Sequence, residues 1–187
     1  LERDLALATR VFRALSGGRV DEVTAIAFEH SPGRGDAKYT GDRSAFDVFV
    51  EYTANDAKGF LGIEVKYHES LADKPGRHRP RYDEIADAAG IFAPACREAL
   101  RRKPLQQVWR DHLLSHSLLL AGDYAEGCFV FLAPRDNERC SRAVAQYRAC
   151  LTDDATFAAW SLEEVVAAAR AAGGGSWVDA FEERYLA

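Results

Sequence analysis

Three charged residues lie in two neighbouring segments that both have the composition of β-strands. Asp47 belongs to the segment 45–52, and Glu64 and Lys66 belong to the segment 61–67. Carboxylate oxygens are the protein ligands that Mg²⁺ prefers. An ammonium group beside them can stabilise negative charge that develops during a reaction. The residue types therefore predict a metal-ion site with an adjacent cation.

The alternation of side chains along each strand decides whether these groups share a face. One face of each strand is wholly apolar, with Phe46, Val48, Val50 and Tyr52 on the first and Leu61, Ile63, Val65 and Tyr67 on the second. Both apolar faces must point into one core, because a slip of one residue would expose all of them. The opposite face then carries Asp47, Phe49 and Glu51 beside Gly62, Glu64 and Lys66.

The residues between the strands, 54–59, have the composition of a turn and predict an antiparallel hairpin. A turn centred near Asp56 would place Asp47 across from Lys66 and diagonal to Glu64, with the three groups within roughly 5–8 Å. The alternative is a set of cross-strand ion pairs on a solvated face, which would stabilise little. Phe49 on the same face favours a covered sheet, where unpaired charges are costly.

The whole chain has the properties of an ordinary soluble protein. Its 187 residues are 48% hydrophobic and 28% charged, which favours one globular domain over 1–187. The net charge of −5 means that any contact with nucleic acid needs a local basic patch. No apolar run is long enough to span a membrane and no signal-peptide pattern opens the sequence, so we expect a cytoplasmic protein with no membrane partner.

Cysteine, histidine and methionine content adds little chemistry. The four cysteines are widely spaced and form no C-x-x-C pair, so we expect reduced thiols rather than a zinc cluster. His112 and His116 are four residues apart, but no H-E-x-x-H motif joins them and a metal role is not favoured. The sequence has no methionine and begins at Leu1, which favours a fragment or a sequence from which methionine positions are missing.

The order of predicted elements indicates a mixed α/β sheet with helices on both sides. Helices are predicted over 2–16, over 82–103 as one or two pieces, and over 105–121, 136–151, 161–173 and 176–185. Strands are predicted over 22–30, in the hairpin 44–68, over 127–133 and over 156–160. The Pro-, Gly- and Arg-rich segment 73–81 predicts a mobile loop.

An acidic residue on one strand followed by Glu-x-Lys on the next resembles the core of the PD-(D/E)XK, or restriction-endonuclease-like, nuclease superfamily. The αβββαβ core of that superfamily has the element order predicted over 22–133, with extra C-terminal helices in this chain. The resemblance implies a Mg²⁺-dependent nuclease, with Mn²⁺ as a further candidate ion and DNA as the expected substrate. Phe46 stands where the superfamily's eponymous proline would be.

The resemblance also implies roles for individual residues. Asp47, Glu64 and the carbonyl of Val65 would bind the metal ion, with Glu29 as the candidate for an additional upstream acid. Glu29 could equally be a surface carboxylate at the end of a strand. Lys66 would be either a base in the metal-loaded state or a fixed cation.

Gln107 and Arg110 are the candidates on the helix that follows the hairpin. Some members of the superfamily place a glutamine there, facing the active site, and Arg110 could contact phosphate one turn later. The alternative for both is a solvated position on an amphipathic helix.

A basic segment, 74–103, could contact the nucleic-acid backbone. It holds eight Lys or Arg against four Asp or Glu in a chain that is acidic as a whole. Arg77, Arg79 and Arg81 are the candidate contacts, and the alternative is that they belong to a merely soluble loop.

Two other functions remain open. One is a nucleic-acid-binding or assembly module that retains the nuclease fold without cleaving, and the other is an α/β interaction protein whose hairpin charges are structural. The presence of all three of Asp47, Glu64 and Lys66 argues against a decayed nuclease. A homodimer is an open possibility for either function.

Overall fold

A computed structural model of the protein describes residues 1–67, 71 and 76–186. Its strands are β1 (Glu22–His30), β2 (Phe46–Ala54), β3 (Ala57–Val65), β4 (Glu126–Ala133) and β5 (Phe157–Ser161). Its helices are α1 (Leu5–Leu15), α2 (Pro80–Ala89), α3 (Arg97–Leu100), α4 (Leu105–Leu120), α5 (Glu138–Arg148), α6 (Leu162–Ala171) and α7 (Ser176–Tyr185). The predicted mixed α/β fold with the αβββαβ order is confirmed.

The five strands form one mixed sheet in the order β1-β2-β3-β4-β5. Strand β2 pairs antiparallel with both β1 and β3. Strand β4 pairs in parallel with β3 on one side and with β5 on the other. A parallel pair needs a long connection between its strands. Helices α2 to α4 therefore lie between β3 and β4, and α5 lies between β4 and β5.

Helices cover both faces of the sheet, and a hydrophobic core lies against each face. On one face α4 and α5 bury the large aromatic side chains of Phe49, Phe60, Trp109, Phe129 and Tyr147. On the other face the aliphatic residues Val50, Leu61, Ile63, Val130 and Leu132 join α1 and α6. Strand β4 is buried from Gly127 to Ala133, as its continuous apolar run predicts. Glu64 thus lies on a sheet face that helix α4 covers.

The hairpin turn is tighter than the sequence predicts. Asn55 and Asp56 alone form it, both with positive φ (49° and 63°), and Ala57 already pairs with Ala54. Two-residue turns of this kind match the right-handed twist of the strands. Val48 pairs with Ile63, and continuing this register by one residue puts Asp47 opposite Glu64. The predicted register, with Asp47 opposite Lys66, was wrong.

Phe46 does not lie on the face that alternation predicts for it. It belongs to the same core as Phe49, and the centroids of the two rings are 5.6 Å apart. The ring of Phe46 covers Gly62, where an added Cβ would lie 2.5 Å from the ring. Because glycine has no side chain, the ring can close onto the backbone of β3 at this point. The other apolar positions of the hairpin lie on the face that was predicted.

The ends of the remaining elements agree closely with the sequence pattern. The side chain of Asn137 caps α5, and the Ser161–Glu164 capping box starts α6. Helix α2 begins at Pro80, so the predicted loop 73–81 is shorter, and residues 72–75 lie outside the described residues. Within the described ranges, no helix has the length and apolar character needed to cross a bilayer.

The contact between Phe46 and Gly62 generates a stability prediction. We expect Gly62→Ala to lower the free energy of unfolding by about 1–3 kcal/mol, because the methyl group overpacks against the ring. Urea unfolding measures the change. In a Phe46→Leu background the cost should shrink, since the smaller side chain can move aside. An equal cost in both backgrounds would contradict the proposed packing.

Candidate active site

Glu64 is the centre of a charged cluster beneath helix α4. The residue is only 5% exposed, although it carries a carboxylate. Its Oε1 lies 2.6 Å from Lys66 Nζ and accepts a hydrogen bond of 2.6 Å from Gln107 Nε2. Lys66 follows directly after β3, and Gln107 comes from the first turn of α4. The structure therefore brings together three of the residues selected from the sequence.

Asp47 joins this cluster from the neighbouring strand. Its Oδ2 accepts a hydrogen bond of 2.7 Å from the backbone N–H of Val65. This bond ties the start of β2 to the end of β3. The charge of Asp47 acts on both Glu64 and Lys66. The two acids and the lysine are thus one electrostatic unit at the ends of two paired strands.

The electrostatics of the cluster favour a positively charged Lys66. Burial alone would lower the pKa of Lys66, but the negative charges of Glu64 and Asp47 outweigh it and raise that pKa. Burial raises the pKa of Glu64, and the positive charge of Lys66 opposes this shift. Lys66 therefore has the properties of a fixed cation in the absence of a metal ion.

Asp111 is a fourth charged residue near this unit, and sequence reasoning missed it. It lies on α4, one turn after Gln107, and its side chain is 3% exposed. Burial, followed by the charge of Glu64, raises the pKa of Asp111 well above its usual range. The sequence contains one signal for Asp111, its position four residues after Gln107. This spacing puts both side chains on one face of the helix.

The oxygen atoms of the two strand acids suit a hard divalent cation. Among the described residues, Asp47 Oδ1 and Glu64 Oε2 accept no hydrogen bond, so each acid keeps one oxygen available. Val65, the third predicted ligand, lies between Glu64 and Lys66. No group of three His, Cys, Asp or Glu within the described ranges forms a ready-made metal cage. The donors present therefore fit a Mg²⁺ ion that keeps much of its water.

Glu29 lies near the cluster in the sheet but does not contact it. It falls between the pairs Phe28–Val48 and His30–Phe46, at the register position of Asp47. Its φ of 50° departs from the strand conformation, and the residue is exposed. Its carboxylate makes no hydrogen bond or ion pair with another described residue. A ligand role for Glu29 stays a prediction without support from a contact.

The three predicted arginines of the basic segment have different surroundings. Arg81 donates hydrogen bonds of 3.0 Å to the carbonyls of Tyr39 and Lys38. Arg79 is exposed and donates a 2.7 Å hydrogen bond to the carbonyl of Gly41. Arg77 is exposed and makes no such contact with the described part of the chain. Arg81 and Arg79 therefore both contact the β1–β2 loop, and the exposed Arg77 and Arg79 are accessible to a ligand.

Arg110 borders the charged cluster. Its Nε lies 3.7 Å from Asp111 Oδ1, and its positive charge acts to lower the pKa of Glu64. The side chain is 29% exposed, which leaves part of the guanidinium accessible. The predicted phosphate contact therefore lies close to the predicted metal ligands.

The two histidines of α4 have a structural environment. His112 is within hydrogen-bond distance of the hydroxyl groups of Tyr147 and Thr156, at 2.9 Å each, and His116 is 3.1 Å from Thr156 Oγ1. Burial lowers the pKa of both histidines, so both are neutral in the core. They connect α4 to α5 and to the residue before β5.

Comparison with known proteins adds one finding. A family model described as the PD-(D/E)XK nuclease superfamily matches residues 1–187. No curated protein and no solved structure matches the chain. The match covers the sheet, helix α4 and the cluster of Asp47, Glu64 and Lys66 together. The chain belongs to the PD-(D/E)XK nuclease superfamily.

Proposed function

We propose that the protein is a metal-dependent nuclease that hydrolyses phosphodiester bonds in DNA. Asp47 and Glu64 hold the divalent cation together with the carbonyl of Val65, and Mg²⁺ is the expected ion with Mn²⁺ as an alternative. The observation that carries this proposal is the arrangement around Glu64, which contacts Lys66 and Gln107 while the charge of Asp47 acts on the same group. Membership of a nuclease superfamily supports it.

The chain's own residues have separate tasks in this proposal. When bound, the cation polarises the scissile phosphate and activates water. Gln107 holds the Glu64 carboxylate in place through its 2.6 Å hydrogen bond. Lys66 stabilises negative charge that develops on the phosphate. Without the cation, the negative charges of Glu64 and Asp47 raise the pKa of Lys66 and keep it protonated, as the role of a fixed cation requires.

Accessible arginines supply the positive charge that the acidic chain needs to bind nucleic acid. Arg77 and Arg79 are exposed in the segment before α2, and Arg110 lies beside the charged cluster. Contacts from arginine to phosphate position a duplex without reading its sequence. We therefore expect binding through the backbone. The preference for DNA over RNA comes from the superfamily resemblance.

One observation favours a non-catalytic nucleic-acid-binding or assembly module as the second candidate. Lys66 and Glu64 lie 2.6 Å apart and neutralise each other, as a purely structural ion pair would. Such a module would bind nucleic acid through the same arginines and would leave it intact. Measuring cleavage and binding on the same samples separates the two candidates.

The metal ligands can be tested by removing one charge at a time. We expect Asp47→Asn and Glu64→Gln each to abolish Mg²⁺-dependent cleavage of double- and single-stranded DNA, while nucleic-acid binding survives. The reason is that an amide loses the charge that holds the cation but keeps the shape of the side chain. Gel-based cleavage assays with Mg²⁺ or Mn²⁺ measure the effect.

Asp56→Asn is the matched control, because Asn is well tolerated at this turn position with positive φ. It should cleave like the wild-type protein. Undiminished cleavage by either Asp47→Asn or Glu64→Gln would place the active site elsewhere.

The role of Gln107 gives a second test. Gln107→Leu should weaken Mn²⁺ binding about 10- to 100-fold, since residues that orient metal ligands typically have effects of this size. Isothermal titration calorimetry measures the affinity. Gln106→Leu is the control, because Gln106 donates its hydrogen bond to the carbonyl of Gly76 and not to Glu64. An equal loss in both variants would indicate damage to α4 instead.

The accessible arginines give a third test. The double variant Arg77→Ala/Arg79→Ala should bind duplex DNA more weakly, with similar losses for unrelated sequences. The slope of log affinity against log salt should fall by about 0.9 for each phosphate that the variant no longer neutralises. Fluorescence anisotropy at several salt concentrations measures both quantities. Arg81 stays unchanged because it donates two hydrogen bonds to the β1–β2 loop, whereas Arg79 donates one, to Gly41.

The control for this test is Arg170→Ala. Arg170 is on α6, where it pairs with Asp179 and Glu182. It should leave the salt dependence unchanged. An unchanged slope in the double variant would show that the nucleic acid lies on another surface.

A further inference from the structure

Asp111 is a buried acid with an oxygen atom that lacks a partner. Its side chain is 3% exposed, and Oδ2 makes no hydrogen bond within the described part of the chain. Oδ1 lies 3.7 Å from Arg110 Nε, which is too far for a hydrogen bond. Buried polar atoms are nearly always satisfied in native proteins, and an exception suggests an unseen water, ion or function.

Either protonation state of Asp111 needs a partner for Oδ2. A charged carboxylate in a buried position is costly without compensation, and a neutral carboxyl group has an O–H that needs an acceptor. Burial raises the pKa of Asp111 well above its usual range, which reflects the cost of the buried charge.

The position of Asp111 connects it with the candidate metal ligands. It lies one turn after Gln107, whose amide holds Glu64. The charges of Glu64 and Asp47 both act on Asp111. Each of these three acids keeps at least one oxygen that accepts no hydrogen bond from the described residues. The negative charges of Glu64 and Asp47 act against that of Asp111, with Arg110 and Lys66 opposing them, and a divalent cation would add to this compensation.

We propose that Asp111 is the third acid of the metal site, with Oδ2 accepting a hydrogen bond from the hydration shell of the cation that Asp47 and Glu64 hold. This inference rests on the proposed function. The described residues contain no ready-made cage of three ligands, so direct coordination by all three acids is not favoured. Mg²⁺ usually keeps several waters and takes few carboxylates directly. Asp111 is thus a positioning residue.

A purely structural role makes a different prediction. If Asp111 served only to pair with Arg110, its replacement would lower the stability of the metal-free protein and leave metal affinity unchanged. If it supports the cation, Asp111→Asn should leave the metal-free melting temperature unchanged or higher, because an uncompensated buried acid is removed. The increase in melting temperature on adding Mg²⁺ should shrink.

The test is Mn²⁺ binding to Asp111→Asn, measured by isothermal titration calorimetry and checked by Mn²⁺ electron paramagnetic resonance. We expect affinity about tenfold or more below wild type, as for other residues that support metal ligands. Asp56→Asn, the same exchange in the hairpin turn, should bind like wild type. Wild-type affinity in Asp111→Asn would overturn the inference while leaving Asp47 and Glu64 in place as ligands.

Two further outcomes are informative. A wild-type protein that binds neither Mn²⁺ nor Mg²⁺ would overturn the proposed function together with this inference. Should Asp111→Asn fail to fold, carboxyl ¹³C NMR of the wild-type protein replaces it. Mg²⁺ should then shift the Asp111 signal together with those of Asp47 and Glu64. A stationary Asp111 signal beside shifted Asp47 and Glu64 signals would reject the inference.

Discussion

The burial of a carboxylate beneath a helix is the constraint on which the rest of the candidate site depends. Glu64 is 5% exposed, and a charge in such a place is costly unless other groups compensate it. Lys66 supplies the opposite charge and Gln107 supplies a hydrogen bond. Helix α4 must therefore lie directly over β3. The long connection that carries α4 between two parallel strands makes this placement possible.

The hairpin places Asp47 beside Glu64 through its backbone geometry. A turn of two residues fixes the pairing of Val48 with Ile63, and the bond from Val65 N–H to Asp47 fastens the ends of the strands. Phe46 packs on Gly62, next to the same strand ends. The position of Asp47 thus depends on a turn some distance away along the strand. A change of register by one residue would move its carboxylate to the other face.

Much of this arrangement was predictable from the sequence because alternation is a strong physical rule. Placing Asp47 and Glu64 on the face opposite Val50 and Ile63 follows from burial alone. Strand β4 was predictable because a short, uninterrupted apolar run is typical of a strand covered on both faces. The prediction of Gln107 came from the superfamily resemblance, and the structure puts its amide on Glu64.

The wrong predictions concern positions whose conformation depends on tertiary packing. The residues after Asp56 have turn composition, but the twist of the strands selects the two-residue turn. The ring of Phe46 occupies the space over Gly62, and no local sequence pattern reveals this contact. Asp111 looks like an ordinary helix residue in the sequence. Only the approach of α4 to β3 shows that it is buried beside other acids.

The most direct test of the account is to locate the cation. Crystals grown with Mn²⁺ and measured at the manganese absorption edge would show the ion by its anomalous scattering. We expect a single strong peak within ligand distance of the carboxylates of Asp47 and Glu64. The result that would contradict this expectation is a fully occupied ion bound elsewhere. In that case the two carboxylates would still contact only Lys66, Gln107 and the Val65 N–H among the described groups.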